Sequence, residues 1–148
     1  MKKLLYIITF TLLLFTTACE TDSLSEDLNT DLPLIENNLS GNWNMKAYVD
    51  KDEVFGPFDI EITYTADLDS IIITDNDFWG FQVKASSNNS KNTFATNLSV
   101  NELSKVGAQI KILNGKVIEN ETLYFEIQFE DDETPYGITY NIKGHKTK

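Results

Sequence analysis

Leu123-Tyr124-Phe125-Glu126-Ile127-Gln128-Phe129 sets Leu, Phe, Ile and Phe at alternate positions, with Tyr, Glu and Gln between them. Successive side chains of a pleated strand point to opposite faces, so this stretch has one apolar face and one wet face. A helix would scatter the same apolar residues around its circumference. The same period recurs on both sides. Tyr136, Ile138, Tyr140 and Ile142 alternate downstream. Upstream come Ala108, Ile110 and Ile112; Trp79, Phe81, Val83 and Ala85; Phe58, Ile60, Ile62, Tyr64 and Ala66; and Trp43, Met45, Ala47 and Val49. Ile71-Ile72-Ile73 is a shorter strand whose buried face the pattern leaves open.

Turn chemistry separates these runs: Asp50-Lys51-Asp52, Gly56-Pro57, Asp67 to Ser70, Asp75-Asn76-Asp77, Ser86 to Asn92, Asn114-Gly115 and Asp131 to Pro135. Asn114-Gly115 predicts the tightest hairpin, because both residues tolerate positive φ. No segment has a convincing helical period, although Val100 to Lys105 has room for one turn. Short strands joined by tight turns make an antiparallel meander of about eight strands. Burying one face of each strand leaves a sandwich or a closed barrel. The inward set is rich in aromatics, which either fill a small barrel or line a cup. Ala47, Ala66, Ala85 and Ala108 would leave space for a cup if they gathered at one rim.

The beginning of the chain differs in kind. Lys2 and Lys3 precede the apolar run Leu4 to Phe15, and the small residues Thr16-Thr17-Ala18 precede Cys19. This is the layout of a secretory signal, with an apolar run shorter than the roughly 17–25 residues of a spanning helix. The segment resembles the lipobox of Gram-negative lipoproteins, with Thr16 where many carry Leu. The resemblance implies cleavage after residue 18 and acylation of Cys19. Cys19 is the only cysteine, so there is no disulfide framework and no free thiol nucleophile. Glu20, Asp22, Glu26, Asp27, Asp31 and Glu36 follow without a Lys or Arg, and Pro33 interrupts the scattered apolar residues. That composition predicts a solvated tether. The expected organisation is a signal peptide over 1–18, an acylated acidic tether over 19–38, and a β-domain over 39–148.

A formal charge of −11 and the absence of any basic cluster in sequence argue against nucleic-acid binding. Hydrolytic chemistry needs a nucleophile, a base and an oxyanion site, or a metal. His145 is the only histidine, close to the C-terminus, and no Gly-x-Ser-x-Gly elbow exists. Asp75-Asn76-Asp77-Phe78-Trp79-Gly80 begins like a calcium loop but has Trp79 at the fifth position and Ser86 at the twelfth. Glu130-Asp131-Asp132-Glu133 is best read as a charged turn, which discourages edge-to-edge association. The expectation is no catalytic residue, no metal site and no cofactor.

Gly41-Asn42-Trp43 opens the first alternating strand and looks like the Gly-x-Trp of lipocalins. There the Trp closes one end of an eight-stranded barrel beneath a cationic residue of the last strand. Lys143, His145 and Lys146 are the candidates here, since no Arg is present. Residues 39–148 resemble a family of Gram-negative lipoproteins described as lipid-binding putative hydrolases with a lipocalin-like barrel. The resemblance rests on Gly41-Asn42-Trp43, Tyr48-Val49-Asp50, Val54-Phe55-Gly56-Pro57, Phe78 to Lys84, Asn114-Gly115-Lys116-Val117, Leu123 to Phe129 and Lys143-Gly144-His145. It implies an all-β, up-and-down barrel, an apolar ligand and attachment to a membrane. The expected function is therefore an outer-membrane lipoprotein of the cell envelope, non-catalytic, that binds a lipid or other small apolar molecule. The ligand-facing candidates are Trp43, Met45, Phe58, Ile60, Ile62, Tyr64, Trp79, Phe81, Val83, Phe125, Ile127 and Tyr140. Two alternatives stand beside it: a filled barrel whose loops bind a protein or glycan, and a hydrolase using His145.

Overall fold

The computed structural model describes residues 38–119 and 121–148. The expected signal peptide, Cys19 and all of the expected tether except Asn38 lie outside the described residues. Eight strands follow in order: β1 (Gly41–Val49), β2 (Asp52–Tyr64), β3 (Ser70–Asp75), β4 (Phe81–Asn88), β5 (Thr93–Val100), β6 (Gln109–Ile118), β7 (Thr122–Phe129) and β8 (Tyr140–Lys146). Each pairs antiparallel with its neighbour in sequence, and β8 returns to β1 from Trp43↔Lys146 to Val49↔Tyr140. The result is a closed barrel without a helix among the described residues. Closure satisfies the two edges that an open meander would leave unpaired.

The alternation in sequence becomes inside and outside. In β7 Leu123, Phe125, Ile127 and Phe129 are all fully buried, while Tyr124, Glu126 and Gln128 are half-exposed. Ile71 and Ile73 point inward and Ile72 does not. The interior is filled with side chains rather than hollowed into a cup. Trp43, Met45, Ile60, Ile62, Phe81, Phe125 and Phe129 are among the fully buried residues of one continuous core. Nor do the small residues gather at one rim. Ala47 and Ala108 lie toward one end of the barrel, whereas Ala85 pairs with Ile71 toward the other.

Four local expectations need correction. Asn114-Gly115 makes no hairpin. It sits inside β6, where Leu113 pairs with Glu126 and Lys116 with Tyr124, so two residues oppose Phe125 alone. Asn114 takes the positive φ of +55° that a turn would have used, and the strand continues as a β-bulge. A Cβ on Gly115 would stand 2.5 Å from the Phe94 carbonyl oxygen and 2.6 Å from its ring, so this glycine is set by close packing of β5. Gly56-Pro57 likewise lies within β2, opposite Lys46, joined by a cis peptide bond. There Gly56 has φ of +138°, and a Cβ would come within 3.0 Å of the Lys46 Cα.

The other two corrections shorten strands. Trp79 precedes β4 and Tyr136 and Ile138 precede β8, all three in loops. Conversely, β5 had no alternation to announce it. Only Phe94 of its eight residues is buried, and its pairing with β6 shifts twice. Its pairing with β4 is confined to Ser86↔Ala95, Ser87↔Phe94 and Asn88↔Thr93. Beyond those, a side chain takes over. Asn101 accepts from the Gln82 amide through Oδ1 (3.0 Å) and donates through Nδ2 to the Gly80 carbonyl (3.3 Å). The Glu102 amide donates to the Gln82 carbonyl at 2.9 Å.

Candidate functional site

Antiparallel order puts the β1–β2, β3–β4, β5–β6 and β7–β8 connections at one end of the barrel, with the chain termini at the other. The terminal end is closed by Trp43. Its side chain is fully buried, its Nε1 donates to the Leu39 carbonyl at 3.0 Å, and Lys146 Nζ stands 5.4 Å from its ring centre. Lys146 therefore supplies the cation that the missing Arg left open, in a cation–π contact across the last residue of β8. This end is a floor.

The opposite end is a mouth closed by aromatic rings. Phe78 and Trp79, from the β3–β4 loop, lie over the inward-facing rings of Phe58, Phe129 and Tyr140. Trp79 stacks on Phe129 at 4.3 Å and nearly parallel, and Phe78 stacks on Phe58 at 5.2 Å. Phe78 also meets Tyr140 edge-on at 5.5 Å and Phe55 at 5.3 Å. Offset and edge-to-face arrangements at these spacings are the favoured ones for aromatic pairs. Phe58, Phe81, Phe129 and Tyr140 come from strands, but Phe78 and Trp79 come from a loop and remain half-exposed.

One carboxylate shapes that loop. Asp75, fully buried at the end of β3, accepts four backbone N–H groups. Oδ1 takes those of Asp77 (3.0 Å) and Phe78 (2.9 Å), and Oδ2 those of Trp79 (2.8 Å) and Gly80 (3.0 Å). Gly80 leaves the loop with φ of +72°. The residues that began like a calcium loop thus have their first carboxylate occupied by amide donors. A buried charge needs such donors, because desolvation without them is prohibitive.

The β7–β8 loop holds the plug from above. Trp79 Nε1 donates to Asp131 at 3.2 Å, and the Tyr140 hydroxyl donates to Asp132 at 3.1 Å. Asp132 is buried and also accepts the amide of Glu133 at 2.7 Å. Burial, with the Asp132 hydrogen bond behind it, pushes the Tyr140 phenol up to about 12. The acidic turn is thus more than a charged surface: two of its carboxylates fix the aromatic plug. No group of three or more His, Cys, Asp or Glu side chains suited to a metal occurs among the described residues.

Eleven of the twelve ligand-facing candidates point into the barrel at different depths, and Trp79 lies over its mouth. Trp43 and Tyr64 lie at the floor end, and burial raises the Tyr64 phenol above its ordinary value. Met45, Ile60, Ile62, Val83, Phe125 and Ile127 make up the middle. Phe58, Trp79, Phe81 and Tyr140 form the mouth. Sequence reasoning put Phe129 on the inward face without counting it among the ligand-facing candidates, and missed Phe55 and Phe78 as mouth residues and Asp75, Asp131 and Asp132 as their supports. The dense loop Phe78-Trp79 after an Asp-Asn-Asp run was the available signal. His145 is elsewhere, on the outer wall, with Nδ1 3.3 Å from Thr122 Oγ1.

The chain is thus a closed up-and-down barrel of eight strands with a filled apolar interior, a Trp floor and a loop-borne aromatic plug. Residues 35–148 match the family described as lipid-binding putative hydrolase, and the chain belongs to that family. No curated protein matches it.

Proposed function

We propose that this protein is a cell-envelope lipoprotein, anchored through acylated Cys19, whose barrel takes up a lipid or another small apolar ligand without transforming it. The observation that supports ligand uptake is the mouth. The rings that complete the packing there, Phe78 and Trp79, are carried by a loop rather than by the ladder of strands. An acyl chain enters a filled barrel only by replacing side chains, and these two move without breaking a strand pair. Exchanging aromatic contacts for contacts with an alkyl chain conserves buried apolar area, so the cost of opening is largely returned on binding.

A non-catalytic role rests on where the reactive groups are. The mouth carboxylates Asp131 and Asp132 face Trp79 and Tyr140, Asp75 is saturated by amides, and His145 is outside the barrel. Anchoring rests on the sequence before the barrel, and an acyl group contributes about 0.8 kcal/mol per buried CH₂ to membrane attachment.

Titrating the full chain with cis-parinaric acid tests the binding. Trp79 is at the mouth and Trp43 at the floor, so a ligand seated under the plug quenches Trp79 first. The expected result is saturation at one ligand per barrel, with the quench largely lost in Trp79→Phe. Absence of saturable binding sinks the proposal. Hydrolysis of nitrophenyl esters that disappears in His145→Ala would replace the non-catalytic part with the hydrolase reading.

A further inference from the structure

The outer wall carries a feature that a carrier's interior does not use. Lys46 of β1 lies directly opposite Lys143 of β8, Lys143 opposite Tyr124 of β7, and Tyr124 opposite Lys116 of β6. The register therefore draws a single row, Lys46–Lys143–Tyr124–Lys116, across four adjacent strands. At about 4.8 Å between strands the row is about 14 Å long. Like charges directly opposite one another destabilise a sheet, yet this chain sets two lysines face to face while carrying 23 acidic residues against 12 basic ones. Lys46 has a counterion, Glu53 at 2.8 Å. Lys143 and Lys116 have none among the described residues.

The wall is concave on both sides of this row. A hollow of about 380 Å³ opens at Lys46 and Lys143, with Asn44, Tyr48 and His145 around it. A larger groove of about 760 Å³ opens at Lys116 and Tyr124, lined by hydroxyls and amides such as Ser86, Thr93 and Asn114 and by one carboxylate, Glu126. Both are open to solvent and share no lining residue, and the pair Tyr124–Lys143 lies between them. The Tyr124 ring lies along the wall: its phenol oxygen is 2.8 Å from Glu126 Oε1 and 3.0 Å from Asn141 Oδ1. Lys116 Nζ sits 5.6 Å from the ring centre. Glu126 lines the same groove, accepts from Tyr124 and from Asn114 Nδ2 at 3.0 Å, and makes no ion pair with Lys116 or Lys143.

We propose that this wall binds an anionic oligosaccharide laid across β8, β7 and β6, its acidic groups on Lys143 and Lys116 and its hydroxyls in the larger groove. A flat aromatic ring, side-chain amides and hydroxyls suit sugar rings, and the two lysines outside ion pairs select acidic ones. A grooved wall seats a chain, whereas a flat lipid surface would reach only its rims. Overall negative charge does not prevent this, because screening beyond about 8 Å at physiological salt leaves the balance to the groups nearby, Lys46, Lys116 and Lys143 against Glu53 and Glu126.

Calorimetric titration of the full chain in neutral detergent tests it, with trigalacturonate and a heparin-derived tetrasaccharide as acidic probes. Uncharged maltotriose, inorganic phosphate and anionic phospholipid vesicles serve as comparisons. Lys116 and Lys143 are exposed, so Lys116→Gln with Lys143→Gln leaves the core intact, and a thermal melt checks this. The expected result is saturable binding of an acidic saccharide, weakened at least about tenfold in the double variant and restored by arginine at both positions. Failure of both acidic saccharides to bind, equal binding of maltotriose, or undiminished affinity in the double variant overturns the proposal. So does binding of phosphate or vesicles with no saccharide binding.

Discussion

Replacing Asp75 with Asn changes one atom of a fully buried side chain and reverses the chemistry of half its hydrogen bonds. The carboxylate accepts four amides, two on each oxygen. An amide side chain offers one oxygen and one NH₂. If the oxygen keeps the Trp79 and Gly80 amides, the NH₂ faces those of Asp77 and Phe78, donor against donor. Two bonds to a charged acceptor, each contributing about 1.5–3 kcal/mol, are lost. The smaller desolvation cost of a neutral amide returns part of this, leaving a net loss of about 3 kcal/mol. A domain of this size loses about 4–8 °C in Tm for each kcal/mol, so the midpoint falls by roughly 12–24 °C. Urea unfolding by tryptophan fluorescence and near-UV circular dichroism measures this, and an unchanged m-value shows that the barrel itself remains. Hydrogen exchange supplies the local readout, with the amides of residues 77–80 losing protection ahead of β7. A loss under about 1 kcal/mol, or unaltered exchange at those four amides, would refute the account of Asp75 as organiser of the plug.

Two further outcomes follow from the packing and the titration behaviour. Gly115→Ala drives a methyl group into the Phe94 carbonyl and ring, and should cost about 1–3 kcal/mol in a urea melt. Tyr124 and Tyr140 are both raised to about 12, chiefly by burial and then by Glu126 and Asp132. An unfolded tyrosine ionises near 10, so both groups give their full stabilisation below about pH 10 and lose it as the pH climbs to about 12. Absorbance titration at alkaline pH should show these two of the six tyrosines ionising late, together with loss of the fold.

The periodic parts of this barrel were legible because burial on one face leaves period two in the residues. β1, β7 and the inward half of β2 could be read off Trp43 to Val49, Leu123 to Phe129 and Phe58 to Tyr64. The interruptions were not, since a bulge and a hairpin ask for the same residues. Asn114 has its positive φ in either setting, and only the pairing of Lys116 with Tyr124 distinguishes them. β5 was silent because seven of its eight side chains leave no buried face to mark. The mouth was half visible. Trp79 belonged to an alternating run and was counted with the interior, but its loop position depends on Asp75, whose role requires four amides contributed by tertiary folding. The outer row of lysines was invisible, because Lys46, Lys116 and Lys143 are far apart in sequence and become neighbours only when β8 closes on β1.

A closed hoop is as strong as its shortest clasp. β3 and β4 are joined by six residue pairs, β1 and β8 by seven, but β4 and β5 by three, with Asn101 standing in for the remainder. Fluctuations that part neighbouring strands cost least where fewest bonds must break. The seam between β4 and β5 is therefore where the cylinder opens at least cost, flattening into a curved sheet with two new margins. Asn101, with the Glu102 amide beside it, keeps that slit pinned near the rim.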